Sequence, residues 1–329
     1  MSELVGAVLT RPTMDSVSAA DLLRRHWAID AELRDLPSER DRNFAVAIGG
    51  VERYVLKFSN ATEDAAFLDL QHQAMERLGA AGVPCQRPVA SRKGREVIDV
   101  GTPGAPSLAR LLTWLPGRPL AMLPSDQRSP ELLRDLGRVM GHTAAALEGF
   151  DHPAAHRGFQ WSAEEGLAVI VAHAGAVGDP ERAALLARWQ ARLAPLGSLL
   201  AELRHGVIHN DANDHNVLVA DDGRSISGLL DLGDAIWSVV VNELAVAAAY
   251  AALDAPDPFA TIGAVRTGFE EVRPLDATEA AVVVELVALR PATSVALSAH
   301  QSSLDPDDPY LTVSEAPAWK LLAVLEVAS

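Results

Sequence analysis

Residues 205–234, HGVIHNDANDHNVLVADDGRSISGLLDLGD, hold the densest polar chemistry in this 329-residue chain. Two His, two Asp and three Asn fall within 208–216, ahead of an apolar run, an Asp-Asp-Gly turn, a second apolar run and Asp231. These residue types suit phosphoryl transfer. That reaction needs a carboxylate to orient a hydroxyl and accept its proton, oxygen ligands for Mg2+, and a cation on the nucleotide phosphates. Asp211 is the candidate base, and the Asn216 amide oxygen and Asp231 carboxylate are candidate Mg2+ ligands. Asn216 opens one strand of a hairpin and Asp231 closes the other, so both ligands project from the end opposite the turn at 221–223. Lys57, embedded in YVLKF, is the candidate phosphate cation.

Each of these residues has a plainer reading when taken alone. A single Asp in a loop is more often a solvated carboxylate or a cap, and a Lys in an alternating strand is often merely exposed. The joint spacing of Asp211, Asn216, Asp231 and Lys57 favours chemistry. His209 reads as a residue that fixes the loop through its imidazole, and Glu243, in NELA, as a structural acid supporting that loop. Asp214, His215 and Arg290 are substrate-side candidates. His215 could equally position the loop. Arg290 lies in an apolar helix just before Pro291, so it reads evenly as a structural ion pair or a contact for a substrate carboxylate. A metal-hydrolase reading of His209, Asp211, Asp214 and His215 lacks a third well-placed His and is disfavoured.

The elements that must carry these residues divide into two parts. Ser18 reads as the cap of a helix through Trp27 and Ile29. Alternation at 44–48 and 54–58 across Gly49-Gly50 predicts a hairpin with Lys57 near its end. A helix over 63–81 ends before Pro84, strands are expected at 83–90 and 96–100, and 101–106 reads as a turn. From about residue 130 the pattern is nearly all helical: 132–147, 181–203 interrupted at Pro195, 239–253, 259–272, 278–300 and 317–328. The expected architecture is α+β, with a small strand-rich part at 1–112, a large helical part at 113–329 and a hinge at about 112–117.

Composition narrows the partners. A formal charge of −16 argues against nucleic acid, whose phosphates require clustered Lys and Arg, and suits a small cationic molecule better. The apolar run at 236–253 contains Asn242 and Glu243 and reads as a core helix rather than a membrane span. No signal-peptide pattern opens the chain, and Cys85 is the lone cysteine, so a cytoplasmic setting is expected.

The motif HxDxxxxN followed by Asp is the catalytic-loop spacing of kinases. The chain resembles the aminoglycoside phosphotransferase/choline kinase superfamily, whose fold is protein-kinase-like with two lobes. Through LPSERDRNF, YVLKFSN, VIHNDANDHNVLV, LLDLGDA, NELA and DPYLTVSEAPAW it is similar to the hydroxylysine kinase branch, which includes domains fused to class III aminotransferases. The resemblance implies ATP or GTP as donor, Mg2+, and a small cationic hydroxylated amine or amino acid as acceptor. It also implies an aminotransferase as domain or partner. It implies nucleotide between the lobes, with the base against Leu112, Thr113, Trp114 and Leu115, and the phosphates near Ser38, Asp41, Asn43 and Lys57. Three departures stand out. Gln71, with Asp69 nearby, occupies the place of the carboxylate that usually holds the lysine; Leu232 replaces an aromatic; and Asp308-Pro309-Tyr310 stands where Asn-x-Tyr is expected. Two alternatives remain open: a non-catalytic nucleotide- or metabolite-binding regulatory module, and a kinase of aminoglycoside or choline type.

Overall fold

Period-two alternation in the first third of the chain builds an antiparallel sheet, in a computed structural model that describes residues 12–38, 41–60, 63–101, 107–304 and 315–327. The chain divides into two compact units between Pro116 and Gly117, with Ala80–Pro84 belonging to the second.

In the first unit, helix α1 (Ser16–Trp27) precedes strands β1 (Glu32–Leu36), β2 (Arg42–Ile48) and β3 (Val51–Phe58). Helix α2 (Ala65–Ala80) follows, then β4 (Val97–Asp99) and β5 (Leu108–Thr113), giving the sheet order β1-β2-β3-β5-β4. One face of the sheet presents Phe44, Val46, Leu56, Phe58 and Leu111 to Ala19, Leu23 and Trp27 of α1. The strand alternation therefore turns Asn43, Lys57 and Arg110 to the opposite face, where register sets Asn43 beside Lys57 and Lys57 beside Arg110.

Several local expectations are corrected. The cap of α1 is Asp15, whose carboxylate accepts both the N–H and the hydroxyl of Ser18 at 2.8 and 3.0 Å. Strand β1 is additional, an edge strand too short and too exposed for its alternation to stand out. The expected strand at 83–90 reduces to isolated bridge residues, Cys85 and Pro88, the latter paired with Leu112, because Pro84 and Pro88 cannot donate to a ladder. The turn expected at 101–106 and the Asp308-Pro309-Tyr310 segment fall wholly or largely outside the described residues.

The second unit begins with β6 (Arg118–Pro119) and continues through α3 (Pro130–Ala146), α4 (Ala163–His173), α5 (Pro180–Leu193) and α6 (Leu196–Leu199). Strands β7 (His205–Ile208), β8 (Val217–Val219), β9 (Ile226–Leu229) and β10 (Ile236–Val239) follow, and then α7 (Asn242–Ala252), α8 (Pro258–Val272), α9 (Ala277–Leu304) and α10 (Glu315–Val327). Helix α4 escapes the sequence reading, and the start of the run at 236–253 is strand β10, which pairs with β7. Strand β8 pairs with β6 and β9. Helices α3 and α8 meet through glycine. A Cβ on Gly137 would fall 1.9 Å from the Val265 carbonyl oxygen and one on Gly268 1.9 Å from that of Arg134, so neither position admits a side chain. Helix α9 is long and apolar enough to cross a membrane by length and composition, and most of it is buried within this unit against α4, α7 and α10.

Candidate functional site

The segment 209–216 leaves the two-stranded sheet of β7 and β10 and enters the three-stranded sheet β6-β8-β9. Between the two it must satisfy its own backbone, and buried side chains do so. Glu243, in the first turn of α7, accepts the N–H of His209 at 2.6 Å on Oε1 and that of Asn210 at 3.4 Å on Oε2. Burial pushes Glu243 up to about 7, and these two N–H donors pull it down. Asn210 takes a positive φ of 65°, which Asn tolerates better than most residues. Its amide donates to the Trp161 carbonyl at 3.4 Å and accepts from Asn242 at 3.1 Å.

His209 is fully buried, and its partners fix its tautomer. Nδ1 accepts the N–H of Asp211 at 3.2 Å, so the proton resides on Nε2, which donates to the Leu230 carbonyl at 2.9 Å. Burial holds the ring neutral, down to about 4. One imidazole thus ties Asp211 to the residue preceding Asp231.

Around Asp211 the donors converge. Oδ2 accepts the amides of Asn213 at 2.9 Å and Asn216 at 2.8 Å, and Oδ1 accepts Arg290 at 2.8 Å. Asp211 is raised to about 7, first by burial and then by the charge of Asp234; Arg290 and Asn213 act in the opposite direction. Asn213 also accepts the N–H groups of His215 and Asn216 on its side-chain oxygen, a turn that shapes the loop. Asn216 spends its amide hydrogens on Asp211, and among the described residues no donor reaches its amide oxygen. Its carbonyl accepts the N–H of Leu230 at 2.8 Å, which brings Asn216 opposite the neighbour of Asp231.

Asp231 adopts φ 56° and ψ 92°, a sparsely populated backbone state for Asp and the kind of strain that gathers at functional sites. Its Oδ1 accepts the N–H of Gly233 at 2.9 Å, and a Cβ on Gly233 would sit 2.9 Å from that same oxygen. Arg157, stacked on Phe159, donates to the carbonyls of Gly233 and Ala235 and holds this turn. Asp231 and Asn216 thus offer a carboxylate and an amide oxygen, the hard oxygen donors that Mg2+ takes, so the residues present fit that ion.

The substrate-side candidates separate. The Asp214 carboxylate lies 3.9 Å from buried Arg128, and its backbone carbonyl accepts the N–H of Ala121. His215 is exposed. Arg290 is engaged internally, on Asp211 and on the Trp161 carbonyl.

In the first unit, the Ser38 hydroxyl accepts the N–H of Asp41, and Asp41 accepts the N–H of Asn60. The other Asp41 oxygen lies 3.7 Å from the Lys57 ammonium, an ion pair whose carboxylate comes from the 38–43 segment rather than from α2. Gln71 is 1% exposed and among the described residues its Oε1 has no hydrogen-bond partner, while Asp69 accepts from the Gln73 amide. The Asn43 side-chain oxygen is also buried with no hydrogen-bond partner among the described residues. Leu112 is buried in the sheet opposite Val55, Thr113 accepts the N–H of Arg87, and Trp114 and Leu115 are half-buried.

Sequence reading alone assigned no role to Asn213, Asn210, Asn242, Asp234, Tyr250 and Trp161. The density of Asn at 210–216 was the available signal, because Asn serves both positive φ and side-chain turns.

A strand-rich unit with a lysine-bearing sheet, and a helical unit with this His-x-Asp-x4-Asn loop and returning Asp, define the kinase-like phosphotransferase class. Residues 32–276 match the model of the phosphotransferase enzyme family, and the chain belongs to that family. Hydroxylysine kinase from Bos taurus is 30% identical, over 95% of this chain and 90% of that protein. Two solved structures share the fold. A microcompartment-associated aminopropanol kinase has a TM-score of 0.70 at 20% identity, over 94% of this chain and 97% of that one. An amicoumacin kinase in complex with AMP-PNP, Ca2+ and Ami has a TM-score of 0.71 at 16% identity, over 94% and 93%.

Proposed function

We propose that the protein is a small-molecule kinase that transfers the γ-phosphate of ATP to a hydroxyl of an amino alcohol or hydroxyamino acid, with hydroxylysine as the leading acceptor. The observation that carries this reading is the Asp211 carboxylate, anchored on both oxygens by Arg290, Asn213 and Asn216. A fixed carboxylate on a tied-down loop is what a hydroxyl needs in order to be oriented and deprotonated as it attacks. Similarity to hydroxylysine kinase over nearly the whole chain supports the acceptor class, and the AMP-PNP complex of a structural neighbour supports ATP as donor.

In this reading Asp211 accepts the hydroxyl proton. Asn216 and Asp231 hold Mg2+, which when bound neutralises charge on the transferring phosphoryl group. Lys57 binds nucleotide phosphate oxygens, and Asp41, 3.7 Å away, places its ammonium. Ser38 and Asn43 lie on that same segment, and Leu112, Thr113, Trp114 and Leu115 take the base side. The neutral His209 and Glu243 hold the loop and exchange no proton with substrate. A reducing, cytoplasmic setting suits Cys85, which is buried with its thiol pushed up to about 11. The resemblance to fused domains supports an aminotransferase as partner.

A phosphotransfer screen tests the proposal, with ATP and GTP against hydroxylysine, ethanolamine, homoserine, choline and an aminoglycoside. Hydroxylysine with ATP is expected to give the highest kcat/KM. Nucleotide binding with no transfer to any acceptor would instead make the chain a binding module.

A further inference from the structure

Three groups pin the Asp211 carboxylate, and they are not alike. Asn213 and Asn216 belong to the same loop and move with it. Arg290 comes from the middle of α9, 79 residues away in sequence, and among the described residues it is the one anchor on Oδ1. Only 8% of the Arg290 side chain is exposed. Its guanidinium lies 4.6 Å above the Trp161 ring and 5.6 Å from that of Tyr250, while Nη1 donates to the Trp161 carbonyl at 3.3 Å. Both rings are half-buried, as is Asp211. The cation is therefore held by two aromatic faces and a carbonyl before it meets the carboxylate. It sits beside Pro291, which has no N–H and interrupts the hydrogen bonding of α9 at that point.

We propose that Arg290 is the positioning residue of the base: clamped between Trp161 and Tyr250, it fixes the rotamer in which the Asp211 carboxylate meets the acceptor hydroxyl. This rests on the reading of Asp211 as base. Arg suits the task better than Lys, because a planar fork can stack on rings, bind a carbonyl and bind a carboxylate together, whereas an ammonium is a point charge. The same placement shapes acceptor choice. The aromatic faces beside Asp211, which would attract a substrate's quaternary ammonium, are already covered by the protein's own cation. Choline is consequently disfavoured against acceptors that carry a primary amine.

The test is a double-mutant cycle read by single-turnover phosphoryl transfer to hydroxylysine, with Mg·ATP affinity and Tm measured alongside. Arg290→Met should lower the transfer rate by roughly 100-fold or more and leave Mg·ATP affinity within about threefold, as expected of a group acting on the reacting carboxylate. Arg290→Lys should recover only part of that rate. In an Asp211→Asn background, Arg290→Met should change the residual rate by less than about threefold, since there is no base left to position. Equal losses in both backgrounds would overturn the proposal, as would a rate loss matched by weakened Mg·ATP binding and a falling Tm. A full rate in Asp211→Asn itself would remove the base assignment first, and that outcome is distinct from the others.

Discussion

At the scale of single residues, the site is a set of buried polar groups each held by another. Glu243 shows the principle. Both of its oxygens accept backbone N–H groups of the loop, from His209 and Asn210. Glu243→Gln replaces one acceptor with a donor facing an N–H, and the mismatch should cost about 1–3 kcal/mol of stability. Urea unfolding should read that loss, and the transfer rate should fall with it because the loop loses its tether. The sequence singled out Asp211, Asn216 and Asp231 because their spacing is local to one short stretch of chain. It could not disclose the Arg290–Asp211 pair or the Asn242–Asn210 bond, which join residues 79 and 32 positions apart. For Arg290 the reading left an ion pair and a substrate contact level, and the ion pair is what the fold contains. For Lys57 it looked to Gln71 or Asp69, and the fold supplies Asp41 from a segment expected only to meet phosphates.

Among the elements, the long amphipathic helices and the β2–β3 hairpin were legible because their periodicity repeats over enough residues to be unambiguous. Short or sequence-ambiguous pieces were not. Strand β10 is a four-residue piece, IWSV, running into a helix, and β1 turns Leu33 to the core between charged neighbours, too little alternation to reveal it. Helix α2 carries a further consequence in the buried His72, whose Nδ1 lies 3.0 Å from a Glu96 oxygen. Burial, reinforced by the Arg110 charge, lowers His72 to about 4. The folded ring stays neutral below the pH at which the unfolded one, near 6.5, takes up a proton. Its stabilising contribution is therefore complete above pH 6.5 and is lost as pH falls from 6.5 through 4. His209, lowered to the same value by burial, acts with the same sign. His72→Gln should flatten this acid limb in denaturant titrations between pH 7 and pH 4.5, whereas a limb unchanged in slope would contradict a neutral buried His72.

For the whole molecule, a strand-rich first part and a helical second part were foreseeable from where the periodicity changes. The chemistry follows that division. Lys57 and its carboxylate partner Asp41 belong to the first unit, and Asp211, Asn216, Asp231 and Arg290 to the second. Family membership and a hydroxylysine kinase relative over nearly the full chain place this arrangement among phosphotransferases. The most direct test of the account follows radiolabelled γ-phosphate from Mg·ATP to hydroxylysine, comparing the wild-type protein with Asp211→Asn. The wild type should form the phosphomonoester in step with ADP. Asp211→Asn should transfer roughly 100- to 10,000-fold more slowly, the usual worth of a positioned general base, while binding Mg·ATP as tightly. Equal rates in the two proteins, or ADP released with no phosphate on hydroxylysine, would contradict it.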